Sequence, residues 1–294
     1  EKLTLEKMTI VSPLDGSVLR IDKQVGESIN LSDTVATVVQ TTRLQVPFFL
    51  DKSFFGKVHV GDKLVVDLQT QPPTTRDAVV VASGDFHAHD GGPSSAFDNA
   101  RRDVVTELEH VGFRKENIRQ YSAWARYYAR DASGETNAET FGKLLADATK
   151  EAPDGCLVYF STHGTPYGIV FGDEILRPSQ LRDALKKSCG SKPTVVVVSA
   201  CFSGVFVPKL KAPNRLIVTA ARKDRTSFGC GTTDRYPYYD TCFLHTLSQA
   251  HDFRDLAYKT RACVAEMEEE TGMEPPSEPQ ISIGKNVMKE LKGW

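Results

Sequence analysis

The sequence predicts an α/β protein, a mostly parallel sheet with helices on both faces, preceded by a small all-β domain. Three observations predict it. Continuous apolar runs at 78–82 (AVVVA), 156–160 (CLVYF) and 194–198 (TVVVV) have the composition of strands covered on both sides. Segments with helical spacing of apolar residues follow them, which is the rhythm of parallel βαβ units. Upstream of the polar stretch Gln71-Pro72-Pro73-Thr74-Thr75 the grammar changes to short β-rich runs with turn signals at close intervals. That stretch is the expected boundary, giving domains 1–71 and 76–294.

In the first domain, 8–11 leads into the turn Ser12-Pro13-Leu14-Asp15-Gly16, and strands are expected at 17–21, 35–39, 44–50 and 63–68. Three segments carry a family likeness: Ile10-Val11-Ser12-Pro13-Leu14-Asp15-Gly16-Ser17-Val18, Val25-Gly26-Glu27-Ser28-Ile29, and Val58-His59-Val60-Gly61-Asp62-Lys63-Leu64. They resemble the barrel-sandwich (biotinyl/lipoyl-like) domain of bacterial membrane-fusion adaptor proteins. A carrier domain of that kind modifies a lysine at a hairpin tip, and Lys23 does not fall at the matching place. Docking or spacing is therefore the expected role. The resemblance implies a periplasmic or membrane-tethered protein on the extracytoplasmic side, with a secretion or export complex as partner.

In the second domain, the strand at 78–82 is followed by a helix at 96–110, with Phe97, Ala100, Val104, Val105 and Leu108 on one side. A second strand occupies 156–160, a helix 178–187, a third strand 194–198 and a fourth 216–219. A late helix spans 252–270, and its acidic run 266–270 reads as a solvated face.

Open parallel sheets place their sites beyond the carboxyl ends of the strands. Two core strands end in reactive residues: 156–160 gives Ser161-Thr162-His163-Gly164, and 194–198 gives Ser199-Ala200-Cys201-Phe202-Ser203-Gly204. As neighbours, these strands bring His163 and Cys201 together at one edge. A thiol becomes a strong nucleophile on deprotonation, which a nearby imidazole promotes, and the same imidazole protonates the leaving amine. The oxyanion needs preorganised N–H donors, and Gly164 and Cys201 supply them. This chemistry calls for no metal and no organic cofactor.

The match widens through Val158 to Gly164, Gly168-Ile169-Val170-Phe171, 176–185, Ser199 to Gly204, Thr219-Ala220-Ala221 and Thr226-Ser227-Phe228-Gly229-Cys230. Residues 77–294 thereby resemble the caspase–haemoglobinase fold, and most of all the legumain family. The resemblance implies a caspase-like sheet and cysteine endopeptidase activity on a peptide or protein substrate. It implies His163 and Cys201 as the dyad, Gly164 as oxyanion donor, and Asp240 and Ser227 as members of the P1 pocket. Two departures concern specificity. The basic pair of the family pocket would fall near Ala96 and Phe97, and its acidic residue before the cysteine is Ser199. Asp98, in Asp98-Asn99-Ala100, is similar to the acidic pocket residue of metacaspases. A pocket with Asp240 and Asp98 and no guanidinium favours Arg or Lys at P1 through a charge-assisted pair. The same dyad resembles the transamidase subunit that attaches lipid anchors, in which an amine replaces water. A third expectation is a non-catalytic secretion-complex adaptor that only binds peptides.

Bulk properties exclude other classes. The net charge of −2 supplies no basic field for nucleic acid. No apolar run approaches the roughly 20 residues that span a bilayer. The six cysteines contain no C-x-x-C pair, which argues against structural zinc. Cys156 is expected as a buried free thiol. Cys230 and Cys242 are expected either as free thiols or as a disulfide in an oxidising compartment. The segment Asp85-Phe86-His87-Ala88-His89-Asp90 has metal-ligand residue types, and a polar loop lining the cleft is the expected reading.

Overall fold

The structure is a computed structural model that describes residues 17–21, 35–39, 77–150, 152 and 154–291. The chain divides into two units, 1–68 and 69–294. In the first, β1 (Ser17–Ile21) pairs antiparallel with β2 (Ala36–Val39). The other strands expected there, Lys23 and the boundary stretch 71–75 lie outside the described residues.

The second unit opens with β3 (Ala78–Ser83), α1 (Ala96–His110), β4 (Ile118–Ser122), β5 (Gly134–Glu135), α2 (Phe141–Lys150) and β6 (Cys156–Ser161). A small antiparallel sheet follows, made of β7 (Gly164–Thr165), β8 (Gly168–Phe171) and β9 (Glu174–Leu176). Then come α3 (Pro178–Ser188), β10 (Thr194–Ser199), α4 (Val207–Leu210) and β11 (Arg215–Thr219). The chain continues through α5 (Tyr238–Leu247), α6 (Phe253–Thr271), β12 (Gln280–Ile283) and α7 (Val287–Glu290).

The main sheet has the order β12-β11-β10-β6-β3-β4-β5, with β12 antiparallel to β11 and the other pairs parallel. The expected mostly parallel sheet is present. Each apolar run splits by period two between two cores. Val80, Val158, Phe160, Val196 and Val198 face one cluster, with α2 and α3 through Phe141, Leu145, Leu181 and Leu185. Val79, Val81, Leu157, Tyr159, Val195 and Val197 face the other, with α1, α5 and α6 through Leu108, Phe243 and Leu256. Burial on both sides is why these runs show no polar alternation. A fully buried valine or leucine is worth about 1.5–3 kcal/mol, so the four central strands form a stiff platform under their carboxyl ends.

The connections diverge at the middle of the sheet. β3 leads through α1 to β4 on one side, while β6 lies on β3's other flank and leads outward to β10 and β11. The crevice at such a reversal is where an open α/β sheet binds its ligand. The segments leaving β3 and β6 there carry His87 and His163.

Candidate active site

The pairing of β6 with β10 sets the geometry. Ser161 lies opposite Ser199, so His163 and Cys201 each fall two residues past one rung. The Thr162 N–H donates to the Ser199 carbonyl at 3.1 Å, carrying the alignment beyond the strands. After Cys201 the chain turns sharply. Phe202 has φ +55, a left-handed conformation that side-chain-bearing residues rarely adopt and that concentrates at functional sites. Its N–H is held by the Arg225 carbonyl at 2.8 Å. Gly204 completes the turn where a β-carbon would fall 2.5 Å from the Lys223 nitrogen.

The thiol and the imidazole are each oriented by backbone groups. The Ser227 N–H donates to Cys201 Sγ at 3.2 Å, and the thiol reaches the Ser227 carbonyl at 3.5 Å. His163 Nε2 lies 2.9 Å from the His87 carbonyl oxygen, which only accepts, so Nε2 carries the proton and Nδ1 is the basic nitrogen. The ring stands edge-on to Phe97 at 4.9 Å between centroids. Val170 donates to the His163 carbonyl, so Gly164 and Ile169 form a non-hydrogen-bonded pair, and the Gly164 N–H points out of the hairpin. The Gly164 Cα packs directly against the Cys201 backbone. Two amide donors, a thiol and an imidazole thus share one small region.

The expected pocket residues separate into two groups. Asp240, in the first turn of α5, is fully buried and accepts from Ser199 Oγ at 2.7 Å, Ser161 Oγ at 3.0 Å and the Tyr159 hydroxyl. Burial pushes its carboxyl up to about 6, against the three hydroxyl donors that pull it down. Among the described residues no cation pairs with it. Asp98 is also buried but lies under the ends of β3 and β4, bonded to Ser83 Oγ at 2.7 Å and Ser122 Oγ at 3.1 Å. It carries its own cation, Arg101, fully buried at 2.8 Å. Ser227 belongs to the sulfur rather than to either carboxylate. The structure therefore joins Ser199 with Asp240 and sets Asp98 apart.

Sequence reasoning missed Ser161 and Tyr159 as partners of Asp240, Arg101 as the partner of Asp98, and the His87 carbonyl as the acceptor for His163. Only Arg101 left a signal, being three residues past Asp98 on an expected helix.

The cysteine expectations are corrected at Cys156 and Cys242, whereas Cys230 is free as one of its two alternatives had it. Cys156 is bonded to Cys189, where the start of β6 meets the end of α3, with Cα atoms 6.0 Å apart. Cys242 is bonded to Cys263, joining α5 to α6, and not to Cys230. The free thiols are Cys201 and Cys230. Burial pushes the Cys230 thiol up to about 11. In the histidine loop, His87 Nδ1 pairs with Asp85 at 2.8 Å, and the His89 N–H donates to the Cys230 carbonyl at 3.3 Å. Among the described residues no group of three His, Cys, Asp or Glu side chains converges as metal binding requires.

A mostly parallel sheet with helices on both faces, in this strand order, is a caspase-like fold. The structure is similar to that of caspase-1 from Spodoptera frugiperda, with a TM-score of 0.52 and 16% identity. The likeness covers 75% of this chain and 93% of that one, and it is one of fold. No curated protein matches the sequence. The family model of the Peptidase C13 family matches residues 76–266, and the chain belongs to that legumain-type family. It is a cysteine peptidase, a hydrolase of peptide or protein substrates.

Proposed function

We propose that this protein is an endopeptidase working through Cys201 as nucleophile and His163 as general base and acid. The observation that carries the reading is the distribution of thiols. Of six cysteines, four are in disulfides, and burial opposes ionisation of Cys230. Cys201 is the remaining thiol, set one strand over from His163 and receiving the Ser227 N–H.

In the reaction, His163 Nδ1 takes the thiol proton, and the sulfur attacks the scissile carbonyl. The oxyanion receives the Gly164 and Cys201 amides. The C–N bond breaks as Nδ1 returns its proton to the leaving amine, leaving a thioester on Cys201. Water then attacks, Nδ1 takes its proton, and collapse breaks the C–S bond to release the acid and the thiol. The bond from Nε2 to the His87 carbonyl orients the ring and leaves Nδ1 as the nitrogen that exchanges the proton.

We assign Asp240, which accepts from Ser199, to the base of the P1 pocket, where its carboxylate selects Arg or Lys. A carboxylate that pairs with no cation among the described residues supports this choice, whereas Asp98 is already neutralised by Arg101. Two disulfides support an oxidising, extracytoplasmic compartment, where an exported peptide or protein is the substrate. A thiol-directed peptide inhibitor with Arg at P1 should label Cys201, as located by peptide mass mapping. Labelling elsewhere, or none, overturns the assignment.

A further inference from the structure

An aromatic ladder leaves the catalytic loop and ends in solvent. The Phe86 ring lies 4.1 Å from that of His87, whose carbonyl holds His163. Phe86 stacks on Trp124 at 5.0 Å, and Trp124 stacks on Tyr127 at 4.7 Å, with interplanar angles of 22° and 18°. The ladder ends in Tyr127, which is 69% exposed, while Phe86 and Trp124 are half-buried.

The ladder is held rigidly. The Trp124 N–H is bound by Ser122 Oγ at 2.9 Å, and the Ala123 N–H by the Ser83 carbonyl at 3.0 Å. Asp85 Oδ1 accepts from the Phe86 and His87 amides at 2.7 and 3.0 Å. Beneath Tyr127, the Tyr128 ring is fixed under the guanidinium groups of Arg101 and Arg102 at 5.5 and 5.3 Å. Ring faces fixed in this way bind with little loss of conformational entropy. Successive residues of an extended peptide advance about 3.3 Å, so a chain crossing the dyad passes the ladder within a few residues.

We propose that Phe86, Trp124 and Tyr127 form a subsite for an aromatic or large aliphatic side chain of the substrate, apart from the P1 pocket. The charges around it are mixed, with Arg126 paired to Glu135 at 3.5 Å and Asp85 at the base of the ladder, so the ring faces and not a net charge define the occupant. Arg126 and Arg130 are exposed on the same turn, and Arg102 lies behind Tyr128. The subsite rests on the peptidase reading, and the test separates the two.

The test is kcat/KM for peptides in which one position at a time, on either side of the scissile bond, carries Phe, Leu, Ala or Lys. The enzymes are the wild type, Trp124→Ala, Tyr127→Ala and Tyr127→Phe, with Cys201→Ala as control. At one position the wild type should prefer Phe to Ala by roughly 3- to 10-fold, the worth of one aromatic pair. That ratio should fall to near one in both alanine variants and persist in Tyr127→Phe. A misfolded fraction lowers both kcat/KM values by the same factor and cancels from the ratio, which reports the folded enzyme alone. Cys201-dependent hydrolysis with no Phe preference at any position, or a preference that survives both alanine variants, overturns the subsite and leaves the peptidase standing. Absence of Cys201-dependent hydrolysis overturns the peptidase reading and the subsite with it.

Discussion

Gly164 and Cys201 are in backbone contact: a β-carbon on Gly164 would fall 1.8 Å from the Cys201 carbonyl oxygen and 3.0 Å from its nitrogen. Any side chain there must push the two strand ends apart and move both proposed oxyanion donors. Gly164→Ala should lower kcat by about 10²–10³ with far less change in KM. Stopped-assay kinetics on a protein of unchanged circular dichroism check this. Activity within twofold of wild type would remove Gly164 from the oxyanion site.

The two free thiols should behave differently with pH. Cys230 keeps its proton until about 11, so its thiolate fraction is small at neutral pH and grows tenfold per unit below that value. Alkylation at pH 7.5 should modify Cys201 first, and Cys230 labelling should climb as the pH approaches 11. Cys230→Ser should retain hydrolysis within about twofold, since surrounding contacts and not its ionisation hold the loop. Faster labelling of Cys230 at neutral pH would contradict the assignment.

Asp240 makes a stability prediction with a definite sign. Its folded pKa of about 6 lies above the ordinary 3.8, so between those values the folded state binds more protons than the unfolded one. Stability should therefore fall as pH rises from about 4 to 6. The full cost above 6 is about 3 kcal/mol. Urea unfolding of wild type and Asp240→Asn across pH 4–7 should diverge by that order, and parallel curves would refute it. The preference for Arg over a neutral residue at P1 should rise through the same window and flatten in Asp240→Asn.

The disulfides should be countable. Intact-mass and peptide analysis without reductant should find Cys156–Cys189 and Cys242–Cys263, leaving two alkylatable thiols. Replacing Cys156 and Cys189 together by Ser should cost about 2–4 kcal/mol, from a closed loop of 33 residues' separation. Unchanged stability would mean the bridge does not constrain the unfolded chain.

The parts of this architecture with strong patterns were readable in the sequence. β3, β6, β10 and β11, with α1, α3 and α6, fall where apolar runs and helical spacing put them. β4 was not expected because IRQYS carries Arg119 and Gln120 half-exposed near the sheet edge, which breaks the apolar run. α5 was not expected because YYDTCFLHTL is buried on several sides and lacks a one-faced pattern. The sequence motif placed His163 and Cys201 at strand ends, and the parallel register of β6 and β10 aligned them. The partners of Asp240 could not be read, because they come from two strands and depend on sheet order. The disulfides could not be read either, since six cysteines allow many pairings.

The most direct test of the central claim is turnover of a fluorogenic peptide set varied only at P1, by wild type, Cys201→Ala and Cys230→Ser. Hydrolysis is expected by the wild type and by Cys230→Ser, strongest with Arg or Lys at P1, and none by Cys201→Ala. Equal hydrolysis by Cys201→Ala, or hydrolysis lost only in Cys230→Ser, would contradict the claim.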